Sequence, residues 1–213
     1  MEECLINEGC RVFIQARMSS LRFPGKVLAP FNGIPIIRCV IEQVLHVVTK
    51  KQLVILTSQE ESDNPLYYYL KSLGVATFRG ELDDVFNRFK KCIQRYPCEW
   101  FVRICADSPL LDYKILQSMI VLTDGYESDL ITNVFPRTFP KGQSIEIVRS
   151  ETFESINEES LSPLQKEHIT QVYYDRPDQY KIVNFENEDK NRQKLNYSID
   201  TIDDLRKLQD LVV

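Results

Sequence analysis

The sequence predicts an α/β fold built on a mixed, mostly parallel sheet with helices on both faces. Two observations carry that expectation. Short β-rich apolar runs alternate with stretches of helical periodicity as far as Thr132, the rhythm of βαβ units. Three polar clusters, 15–26, 106–112 and 200–204, then fall at the carboxyl ends of expected strands, where open α/β sheets hold ligands.

The elements follow in order. Strands are expected at 11–15, 53–57, 75–78, 100–105 and 130–132, with helices between them at 36–48, 65–72, 83–96 and 113–122. Pro35, after Gly33, suits the first turn of its helix, and Gly74 suits a helix stop. Beyond about residue 134 the rhythm changes. The stretch "FPRTFPKGQSIEIV" carries two prolines and a glycine, then alternates over 144–148 like an antiparallel or edge strand. A helix is expected at 163–174, a strand at 180–185, a charged turn "ENEDKNRQK", a last strand at 195–199 and a closing helix after Thr201. No internal repeat or low-complexity tract is present. Residues 1–213 read as a single domain whose region about 135–190 is an insertion or lid.

Composition narrows the function. Hydrophobic content of 43% and charged content of 27% are ordinary for a soluble globular protein. A formal charge of -5 argues against a nucleic-acid surface, which shows a basic excess. No run approaches the ~18 apolar residues of a membrane span. The acidic start Met-Glu-Glu-Cys leads into no apolar signal stretch, so a cytoplasmic protein is expected. Six cysteines include no CxxC pair, and Cys10, Cys39 and Cys105 sit in apolar patterns. They read as buried free thiols in a reducing compartment, not as disulfides or a thiolate metal site.

Against that acidic background, "QARMSSLRFPGK" gathers Arg17, Arg22 and Lys26 on one loop after the first strand. Such a loop suits a polyphosphate, with Ser19, Ser20 and the Gly25 amide adding hydrogen bonds. It is not a Walker A loop, since GxxxxGK[ST] is absent. The plain alternative is a solvated loop whose cations pair with nearby acids. Asp107 ends the run 100–105 ahead of Ser108-Pro109, projecting a hard oxygen ligand that suits Mg²⁺ beside phosphates, or capping a turn. Asp112 suits the N-cap of the next helix, and Thr201 with Asp204 has the spacing of a capping box. His46, on an apolar helix, reads as structural.

The loop resembles the signature of the cytidylyltransferase family that includes CMP-Kdo and CMP-sialic acid synthetases. It is most similar to the branch represented by spore-coat polysaccharide biosynthesis protein F. "FRGELDDVFNRF", "VRICADSPLLD", "NVFPRTFPKG", "KEHIT" and "YSIDTIDDL" resemble that branch in the same order, over nearly the whole chain. Ser19 stands where the branch usually has glycine, and Phe23 where it has leucine.

The resemblance implies a three-layer α/β/α, nucleotide-diphospho-sugar transferase-like (Rossmann-like) domain. It implies transfer of CMP from CTP to a sugar acceptor, an acidic one, with release of pyrophosphate, for surface polysaccharide or glycoconjugate synthesis. The implied cofactor is Mg²⁺, held by Asp107 and Asp200. Arg17, Lys26 and Asp107 would be catalytic. The nucleotide would be bound by Gln15, Ala16, Arg17, Ser20, Arg22, Lys26 and Asp107, with Thr57, Ser58, Arg79, Gly80 and Arg88 around the base. Arg137, Gln143, Glu146 and His168 would line the acceptor pocket. Ser144 stands where the branch often has aspartate, which implies a different acceptor. Homodimerisation is implied too; nucleic acid and membrane are not. Two other readings stay open: a metal-dependent glycosyltransferase, which usually shows a DxD pair where this chain has Asp107-Ser108-Pro109, and a nucleotide-binding module without turnover.

Overall fold

The computed structural model describes residues 9–125 and 127–212; the acidic start at Met1 to Cys4 lies outside them. Strands are β1 (Cys10–Gln15), β2 (Pro30–Phe31), β3 (Ile34–Pro35), β4 (Leu53–Ser58), β5 (Ala76–Gly80), β6 (Trp100–Cys105), β7 (Leu130–Thr132), β8 (Glu146–Arg149) and β9 (Ile182–Asn184). Helices are α1 (Ile36–Leu45), α2 (Asn64–Ser72), α3 (Val85–Arg95), α4 (Tyr113–Ile120), α5 (Ser150–Ser155), α6 (Pro163–Glu167), α7 (Gln171–Asp175) and α8 (Ile202–Val212).

Seven strands form one sheet in the order β5-β4-β1-β6-β8-β7-β9. The run β5 to β6 is parallel, as the alternation with α1, α2 and α3 requires. β8 runs antiparallel to both its neighbours, β6 and β7, and β9 is parallel to β7. The sheet is therefore mixed and mostly parallel, in agreement with the sequence.

Side chains alternate across the sheet and divide its two faces. Val12, Ile14, Ile55, Val102 and Ile104 face α1 and α4, packing on Val40, Val44, Leu116 and Met119. Phe13, Val54, Leu56 and Phe101 face the other way, onto Phe86, Phe89 and Phe153. Phe13 and Phe101 stack at 5.6 Å between ring centres. Burying each such aromatic contributes on the order of 2 kcal/mol. A third, smaller cluster packs Ile199, Leu205 and Leu208 against Phe31, Ile36 and Cys39. It docks α8 beside α1 and brings residue 200 to the sheet's carboxyl edge.

Two expected elements are corrected and one is added. Residues 195–199 form no strand. Their backbone instead straps the loop before β8: Tyr197 N donates to Lys141 O, Lys141 N to Leu195 O, and Ile199 N to Asp107 O. The helix expected at 163–174 is two short helices broken at His168, whose φ of -108° and ψ of 84° end α6. The break turns Ile169 and Thr170 inward, where both are buried. The hairpin β2–β3 also went unread; Asn32 and Gly33, both at positive φ, form its turn. Pro35 stands at the N-cap of α1, one position before its first turn. Gly74, at φ 65°, ends α2 as expected, Asp112 caps α4 by accepting from Lys114 N, and Thr201 and Asp204 bond reciprocally at the start of α8.

Candidate active site

The three polar clusters meet at the carboxyl edge. The loop after β1 folds back on itself, with Ser20 N and Gly25 N both donating to Met18 O. Gly25 takes φ 74°, a conformation glycine adopts freely, and so aims Lys26 inward. The Gly25 amide is therefore spent within the loop and is not available to a phosphate, against expectation. Ser20 Oγ accepts from Phe23 N, and Ser19 Oγ is buried with no hydrogen-bond partner among the described residues.

Each loop cation faces a carboxylate. Lys26 Nζ lies 2.9 Å from Asp107 Oδ2, 3.2 Å from Asp200 Oδ1 and 2.8 Å from Ile199 O. Arg22 also reaches Asp200, at 3.0 Å, and Lys141 holds its other oxygen at 2.9 Å. Arg17 pairs with Glu167 at 3.0 Å. Burial opposes the ionisation of Asp200, but the bonds from Lys141 and Lys26 outweigh it and hold its pKa at about 2. The plain alternative of paired loop cations is thus met in form. Yet Arg17, Arg22, Lys26, Glu167, Asp107 and Asp200 all line one cleft of about 560 Å³. Arg22 is well exposed and Arg17 about one-third exposed, and such pairs contribute little, so both guanidiniums are open to competition from another anion in the cleft.

A second cleft of about 360 Å³ adjoins the first, sharing Arg103, Cys105, Asp107, His168 and Asp200 with it. Arg137, Ser144 and Glu146 line it, and Arg137 donates to Ser144 Oγ at 3.1 Å. Gln143 is not brought there. Its amide is tied to the backbone on both sides, donating to Leu110 O and accepting from Asp112 N. Glu146 is buried, paired with Arg103, and accepts from Tyr174 Oη at 2.6 Å.

The residues expected around the base stand apart from both clefts. Thr57 and Ser58 are buried, and both hydroxyls donate to Asp63 Oδ2. Arg79 bonds Ser58 O, Asn64 Oδ1 and Glu60 O. Gly80 lines a separate cleft with Glu81, Asp84 and Lys166. Arg88 lies buried against Gly80, donates to Glu81 O, and has two nitrogens without partners among the described residues. Burial, reinforced by the charge of Arg17, pushes its pKa down to about 10.

Two residues escaped the sequence reading. Asp63, fully buried, accepts from Thr57, from Ser58 and, at 2.7 Å, from Met18 N, and so anchors the loop to the end of β4. Arg103 spans the two clefts. The lone charge inside the apolar run "WFVRIC" is the signal that could have marked it.

A mostly parallel sheet that gathers cations and two carboxylates at its carboxyl edge defines a nucleotide-dependent transferase. The chain belongs to the cytidylyltransferase family, whose profile, described as "Cytidylyltransferase", matches residues 12–212. It is 29% identical to spore coat polysaccharide biosynthesis protein SpsF of Bacillus subtilis, over 93% of this chain and 84% of that protein. Its structure superposes on a cytidylyltransferase from Leptospira borgpetersenii with a TM-score of 0.90 and 31% identity, covering 97% of this chain and 87% of the other. CMP:2-keto-3-deoxy-manno-octonic acid synthetase, solved with CTP, shares the fold at a TM-score of 0.72 and 16% identity, over 95% and 98% of the two chains. The nucleotidyltransferase class and the nucleotide-diphospho-sugar transferase-like fold are thereby established.

Proposed function

We propose that this protein transfers CMP from CTP to a hydroxyl of an acidic sugar and releases pyrophosphate, in the synthesis of a surface polysaccharide or glycoconjugate. The observation that carries the reading is Lys26 Nζ, held within 3.2 Å of both Asp107 and Asp200 at the sheet's carboxyl edge. A cation set between two acids can move to a triphosphate and free both carboxylates. Arg17 and Arg22 leave their carboxylate partners in the same way and take up phosphate oxygens.

Among the described residues no three His, Cys, Asp or Glu side chains gather as a metal centre. Magnesium does not require three, since it binds through one or two carboxylates, phosphates and water. The oxygens of Asp107, Asp200 and Ile199 that converge on Lys26 are a donor set of that kind, so Asp107 and Asp200 fit the ion. Bound Mg²⁺ supplies positive charge at the phosphate oxygens. Arg17, Arg22 and Lys26 hold the triphosphate and steady the charge that grows as pyrophosphate leaves. Arg137 and His168, in the adjoining cleft, place the acceptor against the α-phosphate, and positioning provides much of the rate. No dedicated side-chain base is required.

The region of about 135–190 forms the acceptor side of this arrangement, and a homodimer and a cytoplasmic location belong to the same reading. The described cysteines are all free thiols, in keeping with a reducing compartment. No helix among the described residues is long and apolar enough to cross a membrane.

The test is pyrophosphate release by the purified protein with Mg²⁺, each of the four nucleoside triphosphates and a panel of acidic sugars. Release that needs both CTP and one acidic sugar is expected. Release of nucleoside diphosphate would mark a glycosyltransferase instead, and equal use of ATP or GTP would sink the assignment of the base.

A further inference from the structure

Arg103 sits where a charge is costly. It lies inside β6, largely buried, and Glu146 of β8 meets it with a carboxylate buried more deeply still. Burial opposes both charges, yet each holds the other ionised: Glu146 lies below its ordinary range and Arg103 above its own. Tyr174 Oη donates to the remaining oxygen of Glu146 and lies 3.0 Å from Thr132 Oγ1. The pair is thus satisfied on its far side and fixed by strands β6, β8 and β7.

The near side of Arg103 is less ordinary. Its Nε and one terminal nitrogen both point at Gln15 Oε1, at 3.4 and 3.3 Å. A guanidinium carries donors only, so only the oxygen of the Gln15 amide can face it. The amide cannot flip, and its NH₂ group must turn away from Arg103. Gln15 is half-buried at the end of β1 and lines the cleft that holds Arg17, Lys26 and Asp107.

We propose that Arg103, backed by Glu146 and Tyr174, is a positioning residue that locks Gln15 as a hydrogen-bond donor to a phosphate oxygen of the bound nucleotide. An unlocked glutamine amide offers oxygen and nitrogen equally, and an oxygen turned to a phosphate repels it. The network removes that wrong orientation before the ligand arrives. The inference rests on the nucleotide half of the proposed function and needs no acceptor, so it is read by binding alone.

The experiment is calorimetric titration of CTP into the parent and four variants, with thermal melts alongside. Gln15→Glu preserves an oxygen for Arg103 but has no donor for the cleft; Gln15→Met has neither and adds no charge. Each should bind CTP about tenfold more weakly, as expected for one lost bond to a charged group. Arg103→Met combined with Glu146→Met removes the buried pair together, leaving neither charge orphaned. Its affinity should fall only about twofold, because an unlocked amide still presents its donor about half the time. Adding Gln15→Met to it should bring the total loss to the same roughly tenfold as Gln15→Met alone, not to the roughly twentyfold of independent effects. Weakening by Gln15→Glu alone, with Gln15→Met unchanged, would reveal simple charge repulsion and overturn the proposal. Independent, additive losses would overturn the role of Arg103. If the paired variant does not fold, the two Gln15 variants still decide, because a glutamine that does not donate to the nucleotide predicts undiminished binding by the uncharged Gln15→Met. Failure of the parent itself to bind CTP would overturn this inference and the proposed function together.

Discussion

Replacing Asp63 by Asn tests how the loop after β1 is held. The carboxylate is fully buried and takes three bonds on Oδ2, from Thr57 Oγ1, Ser58 N and Ser58 Oγ, and one on Oδ1 from Met18 N. Asparagine keeps one oxygen. If that oxygen takes the three-donor position, the new NH₂ confronts the Met18 amide, donor against donor. A charge-assisted bond is worth about 1.5–3 kcal/mol and a stranded buried donor costs about 1–3 more, so a loss of about 3–5 kcal/mol is expected. At about 2–4 °C per kcal/mol for a chain of this size, the melting temperature should drop by about 10 °C. CTP affinity should fall with it, because Met18 leads the loop. The pH dependence carries a sign. Burial opposes ionisation of Asp63, but the bonds from Ser58 and Met18 outweigh it and depress its pKa. Its contribution is therefore complete above about pH 4, the unfolded value, and is lost as pH falls through the depressed one. Parent and variant melts should converge in that acid range. A variant that melts with the parent at pH 7 and binds CTP as tightly would show that these four bonds bring no net stability.

Asp107→Asn should retain the parent's melting temperature and slow pyrophosphate release by on the order of a hundredfold, from loss of charge beside the phosphates; full activity at limiting Mg²⁺ would refute the metal assignment. Arg17→Ala should weaken CTP binding about tenfold or more by calorimetry, since a phosphate oxygen competes successfully with Glu167 for that guanidinium. Gly142→Ala should destabilise the fold by about 2–4 kcal/mol in a denaturant melt. Residue 142 has φ +92°, and a Cβ there would lie 2.5 Å from the Tyr197 carbonyl carbon; wild-type stability would mean that the strap over 195–199 yields easily.

The sequence announced the parallel half because each buried strand there is a near-continuous apolar run and each helix has its own period. The same alternation put Lys26 and Asp107 at one edge, whereas Asp200 reaches it on the strap over 195–199 and the docked α8, not at the end of the strand expected there. It failed where the backbone answers to partners far along the chain. Leu195, Tyr197 and Ile199 alternate like a strand, but the Leu195 carbonyl accepts from Lys141 N, and the Tyr197 and Ile199 amides donate to Lys141 O and Asp107 O, a use that no local pattern encodes. Thr57 and Ser58 read as ligand hydroxyls because nothing in "LTSQEESDN" says that Asp63 curls back to take both. The helix through 163–174 looked unbroken because the pull of Ile169 into the core is a property of the packed sheet, not of the segment.

The contact between Lys26 and Asp200 spans 174 positions. A ribosome making this chain delivers the loop after β1 long before the second carboxylate, which follows with the strap and α8. Until residue 200 emerges and Ile199, Leu205 and Leu208 find Phe31 and Ile36, the loop has no counter-charge from that side. The nascent protein can therefore close its sheet before the contact between Lys26 and Asp200 exists. A chain halted before residue 200 should keep the sheet but lack both that contact and the packing of α8 beside α1.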